Sequence, residues 1–130
     1  MLAIDTNLLV RYLTNDHPTQ SLQARILIDE RPVFISVTVL LESDWVLRST
    51  YGYQGPEVAR ALRVFAGLPT VTVEDGPIIA NALDLAEQGM DFADALHVGR
   101  SLHCEGFVTF DRKLIRAAKS AGLKGVGRPG

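Results

Sequence analysis

The chain has a single cysteine, Cys104, so no disulfide can form within it. Its histidines, His17, His97 and His103, are scattered, and no Cys/His cluster with zinc-ligand spacing exists. No apolar run approaches the ~18 residues of a membrane-spanning helix, and no charged n-region followed by a long apolar segment opens the chain. A cytoplasmic protein with no membrane partner is expected. No charge of one sign dominates either. Lys plus Arg is 13 against 15 for Asp plus Glu, which argues against nucleic-acid binding through bulk charge but leaves room for a local basic face. Repeats, low-complexity tracts and linkers are also missing.

What is present is a hydrophobic fraction of 47% in 130 residues, enough for one domain over 1–130 with a real core and too little for two. Charge is unevenly placed. Arg112, Lys113, Arg116, Lys119, Lys124 and Arg128 fall in the last nineteen positions with no acid among them. They read as a solvated helix whose positive end suits its dipole, or as a holder of phosphates.

Short apolar segments alternate with helical ones. Leu2–Ile4, Val33–Ser36, Thr70–Val73 and Gly106–Phe110 read as strands, with a weak fifth near Lys124–Val126. Helices are expected over Leu8–Leu13, Ser21–Ile28, Thr38–Tyr51, Pro56–Phe65, Pro77–Glu87, Phe92–Cys104 and Leu114–Ala121. In the second of these, Leu22, Ile26 and Leu27 mark the packed side, with Ala24 and Ile28 fitting less neatly. The alternation predicts an α/β domain with three layers, α/β/α, around a parallel sheet of four or five strands. Cys104, at the end of the Phe92 helix, is expected to be buried or half-buried.

Four carboxylates stand out by position. Asp5 ends the first strand just before a helix, where open α/β sheets place their chemistry. Asp111 directly follows the fourth strand, and Asp94 opens an apolar helix within Asp91-Phe92-Ala93-Asp94-Ala95-Leu96. Each has a plain structural reading: Asp5, Asp91 and Asp111 precede helices as N-caps, and Asp91 with Asp94 resembles a capping box. Glu42 resists that reading. Its neighbours Leu40, Leu41 and Trp45 imply burial, and Arg48, six positions on, is not an i,i+4 partner. A buried carboxylate there needs a cation from elsewhere, a distant Arg or a metal.

A parallel sheet brings Asp5 and Asp111 to one edge. Acids converging there would repel unless a divalent cation held them, and oxygen-only ligands suit Mg²⁺ or Mn²⁺ rather than zinc. Such a centre serves phosphodiester cleavage by making hydroxide available near neutral pH and neutralising phosphoryl charge. Thr6, Asn7 and Thr109 could orient water or an acid, although hydroxyls after strands are usually turn-formers.

With these residues in place, the chain resembles the PIN-domain ribonucleases, and among them the VapC-type toxins of bacterial toxin–antitoxin pairs. The likeness runs through Leu2-Ala3-Ile4-Asp5-Thr6-Asn7, Glu42 within Ser36–Trp45, Phe92-Ala93-Asp94-Ala95-Leu96, and Val108-Thr109-Phe110-Asp111 with Lys113-Leu114. No piece is specific by itself; the ordered set is. The resemblance implies a PIN-like domain with strand order 3-2-1-4-5. It implies that Asp5, Glu42, Asp94 and Asp111 are both the catalytic and the metal-binding residues, holding Mg²⁺ or Mn²⁺. It implies a type II toxin that hydrolyses RNA, with tRNA among the candidate substrates, through a metal-activated water. It also implies a homodimer and a cognate VapB-like antitoxin. One departure is the His97-Val98-Gly99-Arg100 that follows Leu96, where Arg100 could touch RNA or merely lie on the surface.

Two enzymes with similar sheets fit less well. A haloacid-dehalogenase-like phosphatase needs a second Asp two residues after the first, and that position is Asn7. A response-regulator receiver wants a phosphoacceptor Asp ending a middle strand, whereas the third strand runs into Glu74-Asp75. The alternative from another class is a non-catalytic PIN-like module that binds RNA or a partner.

Overall fold

The computed structural model describes residues 1–130. Five short strands alternate with seven helices: β1 Leu2–Ala3, α1 Thr6–Thr14, α2 Pro18–Glu30, β2 Val33–Ile35, α3 Val37–Ser49, α4 Gly55–Ala66, β3 Val71–Val73, α5 Gly76–Glu87, α6 Phe92–Gly99, β4 Phe107–Val108, α7 Arg112–Ser120 and β5 Val126–Gly127. All strand pairs are parallel, and the fold is α/β with the α/β/α organisation the alternation predicts. No helix is long and apolar enough to cross a membrane.

Side-chain chemistry explains most boundaries. Pro18 sits in the first turn of α2, where its missing N–H costs nothing, and His17 Nδ1 caps that helix by accepting from the Gln20 N–H at 3.2 Å. Ser36 caps α3 through the Val39 N–H. Asn15 ends α1 in the left-handed region at φ 56°, a conformation its short polar side chain tolerates.

The core is aliphatic and continuous. Leu9, Ile28, Val33, Ile35, Leu40, Leu62, Phe65 and Ile79 are fully buried, each worth ~1.5–3 kcal/mol against exposure. Helix α5 packs between α4 and α6, while α1 packs on α2 and α3. Tyr12 meets Phe65 edge-on, with ring centroids 5.5 Å apart.

Four expectations need correction. The sheet is not one ladder: β1-β2-β3 form one unit and β4-β5 another, so the order 3-2-1-4-5 holds within each unit but β1 and β4 are not hydrogen-bonded. Both strands have only two residues, and Leu2, Ala3 and Val108 are exposed rather than buried in a sheet centre. Helix α6 stops at Gly99 instead of reaching Cys104. Ser101 folds its hydroxyl back onto the His97 carbonyl at 2.8 Å, and His103 and Cys104 lie in the following turn, with Cys104 exposed. Helix α2 is packed on only part of the expected set: Leu27, Ala24 and Ile28 face the core, and Leu22 and Ile26 do not. Ser21, Ala24 and Ile28 are buried, whereas Leu22 is 58% and Ile26 47% exposed. Ser21 and Ala24 let that face approach closely, and Ile28 fills the core beside them. On α3, Glu42 is exposed and Trp45 is 61% exposed; the buried acid is Asp44.

Candidate active site

Asp5 follows β1 in extended backbone (φ −98°, ψ 177°) and caps α1, its Oδ1 accepting from the Leu8 N–H at 2.9 Å. The next residue, Thr6, donates its hydroxyl to Glu42 Oε1 in a short contact across to α3. Two acids far apart in sequence thus border one cleft of about 500 Å³ between α1 and α3. Asn7 and Arg11 line it from α1, with Val39, Val46 and Thr50 opposite. Burial does not explain Glu42; Thr6 does.

The other acids gather at the starts of α6 and α7. Asp91 caps α6, its Oδ1 accepting from the Asp94 N–H at 3.0 Å. This is half of the expected capping box, because no reciprocal bond from Asp94 is made. Asp111 caps α7 through Oδ1, accepting from the Lys113 and Leu114 N–H groups at 2.9 and 3.1 Å. Its own N–H donates to Thr109 Oγ1 at 3.0 Å, which gives Thr109 a turn-forming role. Asp94 is half-buried. Burial pushes its carboxyl above the ordinary range, the charges of Asp91 and Asp111 push it further, and His97 and Lys113 oppose them.

Of the four acids named from sequence, Asp5 and Glu42 border one cleft, and Asp94 lies near enough to Asp91 and Asp111 to feel their charge. No three His, Cys, Asp or Glu side chains stand close enough to hold one metal ion. The expected single pocket is not closed in this conformation, consistent with β1 and β4 being unpaired. The donor chemistry nevertheless suits a hard divalent cation. Asp5 Oδ2, Glu42 Oε2, Asp111 Oδ2 and both Asp94 oxygens have no hydrogen-bond partner within the chain. The set is all oxygen, with no thiolate or imidazole among the candidate ligands to favour zinc.

Sequence reasoning missed one pair. Asp44, 2% exposed, binds Arg48 at i,i+4 through bonds of 2.9–3.2 Å. The i,i+4 spacing of Asp44 and Arg48 is the signal in the sequence that marks this pair. Burial pushes the Asp44 carboxyl up and the Arg48 guanidinium pulls it back, while the same carboxylate holds Arg48 protonated. Arg100 has a surface partner, Asp75, at 2.9 Å. The basic residues Arg112, Lys113, Arg116 and Lys119 on α7 are exposed and form no ion pair.

Comparison with curated proteins and with solved structures gave no significant match. The family profile described as PIN domain matches residues 2–120, nearly the whole chain. Its range takes in β1 with Asp5, α3 with Glu42, α6 with Asp94 and the turn into α7 at Asp111. By that match, and with a parallel α/β fold that carries acids at the starts of its helices, the chain belongs to the PIN domain family, a fold that is generally a nuclease.

Proposed function

We propose that this protein is a divalent-metal-dependent ribonuclease that hydrolyses RNA phosphodiester bonds, and that it is the VapC-type toxin of a type II toxin–antitoxin pair. The observation that carries the reading is the Thr6–Glu42 bond, which draws the acid of α3 to the acid at the end of β1 across 36 residues. Membership of the PIN family supplies the reaction class.

In this reading Asp5, Glu42, Asp94 and Asp111 are the residues that would hold Mg²⁺ or Mn²⁺. When bound, the cation lowers the pKa of a water and neutralises phosphoryl charge. The chain's own residues do the positioning. Thr6 fixes the Glu42 carboxylate, the cap bonds fix one oxygen each of Asp5 and Asp111, and the uncommitted oxygens are left to the cation. Lys113, whose charge opposes the upward push on the Asp94 carboxyl, offsets negative charge beside these acids.

The same reading includes a homodimer, a cognate VapB-like antitoxin that blocks the acids, tRNA among the candidate substrates, and a cytoplasmic location. Trp45, exposed one turn from Glu42 on α3, offers such a partner an aromatic anchor.

The test is cleavage of RNA by the purified chain with Mg²⁺, with EDTA, and in Asp5→Asn. Cleavage is expected only for the unaltered chain with metal. Cleavage that persists in Asp5→Asn would come from a contaminant or another site. A non-catalytic PIN-like module that binds RNA or a partner is the second reading. RNA binding without any metal-dependent cleavage would establish that one.

A further inference from the structure

Arg48 does more than neutralise a buried acid. Its Nε donates to Asp44 Oδ1 and Oδ2 at 3.1 and 3.2 Å, and its Nη2 donates to Asp44 Oδ2 at 2.9 Å. The same Nη2 lies 3.7 Å from Asp91 Oδ2, on the segment that leads into α6. Asp91 uses its other oxygen to accept the Asp94 N–H. An unbroken series of polar contacts therefore runs from the interior of α3 to the first turn of α6. Asp91 has no other cation within ion-pair distance. The Asp94 N–H, in the first turn of its helix, has no carbonyl of its own helix to bond.

Stability alone is a weak reason for this arrangement. A buried ion pair is often matched or bettered by an apolar pair of the same volume. An apolar pair could not reach Asp91. Arg48 can, because Nε holds Asp44 while the outer Nη2, bonded to Asp44, also lies 3.7 Å from Asp91. Helix α3 also carries Glu42 and α6 carries Asp94, so the contact spans the two helices that bear those acids.

We propose that Arg48 is a positioning residue: anchored by buried Asp44, it holds Asp91 and through it the N-terminus of α6, which sets Asp94 relative to Glu42. Its consequence for cleavage rests on the nuclease reading; the tether itself does not.

The experiment compares the unaltered chain with the double variant Asp44→Leu/Arg48→Met. This variant removes the tether without stranding a buried charge, and thermal melting confirms that it folds. Amide hydrogen exchange at Asp94 is read in each protein, together with kcat and KM for RNA cleavage in Mg²⁺. Exchange at Asp94 is expected to rise about tenfold, the loss of roughly one hydrogen bond. The kcat is expected to fall by about 10–100-fold, the usual effect of removing a group that orients a metal ligand, with KM little changed. Arg48→Lys keeps a charge beside Asp44, but its side chain is one bond shorter and its ammonium falls short of the Nη2 position that meets Asp91, so it too should show faster exchange at Asp94. Unchanged exchange in the double variant overturns the tether. Faster exchange with unchanged kcat overturns the positioning role. If the unaltered chain cleaves nothing, the nuclease reading fails, and the exchange data still decide whether Arg48 holds Asp91.

Discussion

The carboxylate of Asp44 and the guanidinium of Arg48 form a two-pronged ion pair one helical turn apart, with the acid buried and the base half-exposed. Removing one partner strands a charge, and removing both does not. Arg48→Met alone is expected to cost about 3–5 kcal/mol in urea unfolding, whereas Asp44→Leu/Arg48→Met should recover most of that loss. Equal destabilisation in the two variants would show that packing of the arginine stem, and not its charge, matters at this position.

Asp94→Ala should leave stability unchanged or raise it. Burial and two neighbouring carboxylates favour its protonated form in the fold, so its pKa there lies above the unfolded value. Such a group contributes fully below the ordinary Asp pKa, and that contribution is lost as pH rises through its raised folded pKa. At neutral pH the ionised group is therefore a liability, which the alanine removes. Asp91→Ala deletes a cap and should cost ~1 kcal/mol. A loss above ~2 kcal/mol for Asp94→Ala would assign the helix start to Asp94 instead.

Asp16 behaves in the opposite sense. Its carboxylate accepts from the Tyr51 hydroxyl at 2.6 Å and the Thr14 hydroxyl at 2.9 Å, and it pairs with Arg11 at 3.1 Å. These bonds, Tyr51 first, hold its pKa below the usual value. A depressed pKa means stability that is present above the unfolded value and lost as pH falls through the folded one. In Tyr51→Phe the Asp16 carboxyl, followed by carbon NMR, should titrate at higher pH than in the unaltered chain. An unmoved titration would assign the depression to Arg11 and Thr14.

Truncation along α2 should reveal which face is packed. Ile28→Ala should cost about 2–5 kcal/mol, and Leu22→Ala should stay within ~0.5 kcal/mol. Equal losses would mean that Leu22 is covered in solution, as it would be at the contact of a dimer.

Charge reversal of Arg116 and Lys119 tests whether α7 receives RNA. Both are exposed and unpaired. Each phosphate contact removed should lower the slope of log affinity against log salt by about one. A slope unchanged in the double reversal would restrict this charge to solvating the helix.

Most of the elements could be read along the chain because their causes are local. Strand runs such as Val33–Ile35, the proline at the head of α2 and the caps Ser36, Asp91 and Asp111 act within a few residues. The candidate acids were found for the same reason: each ends a strand or opens a helix, except Glu42.

Pairing across the fold was not local, and there the sequence was silent or misleading. Whether Glu42 or Asp44 turns inward depends on which side of α3 faces its neighbours, and a helix apolar nearly all round gives no hint of that. Leu22 and Ile26 face outward while Ser21, Ala24 and Ile28 face inward, because the position of the neighbouring helices, not local hydrophobicity, decides which side of α2 is covered. That β1 and β4 share no hydrogen bonds follows from which strand edges meet. The sequence determined the chemistry of the carboxylates; the tertiary structure decided their neighbours, because those neighbours come from helices distant in the chain.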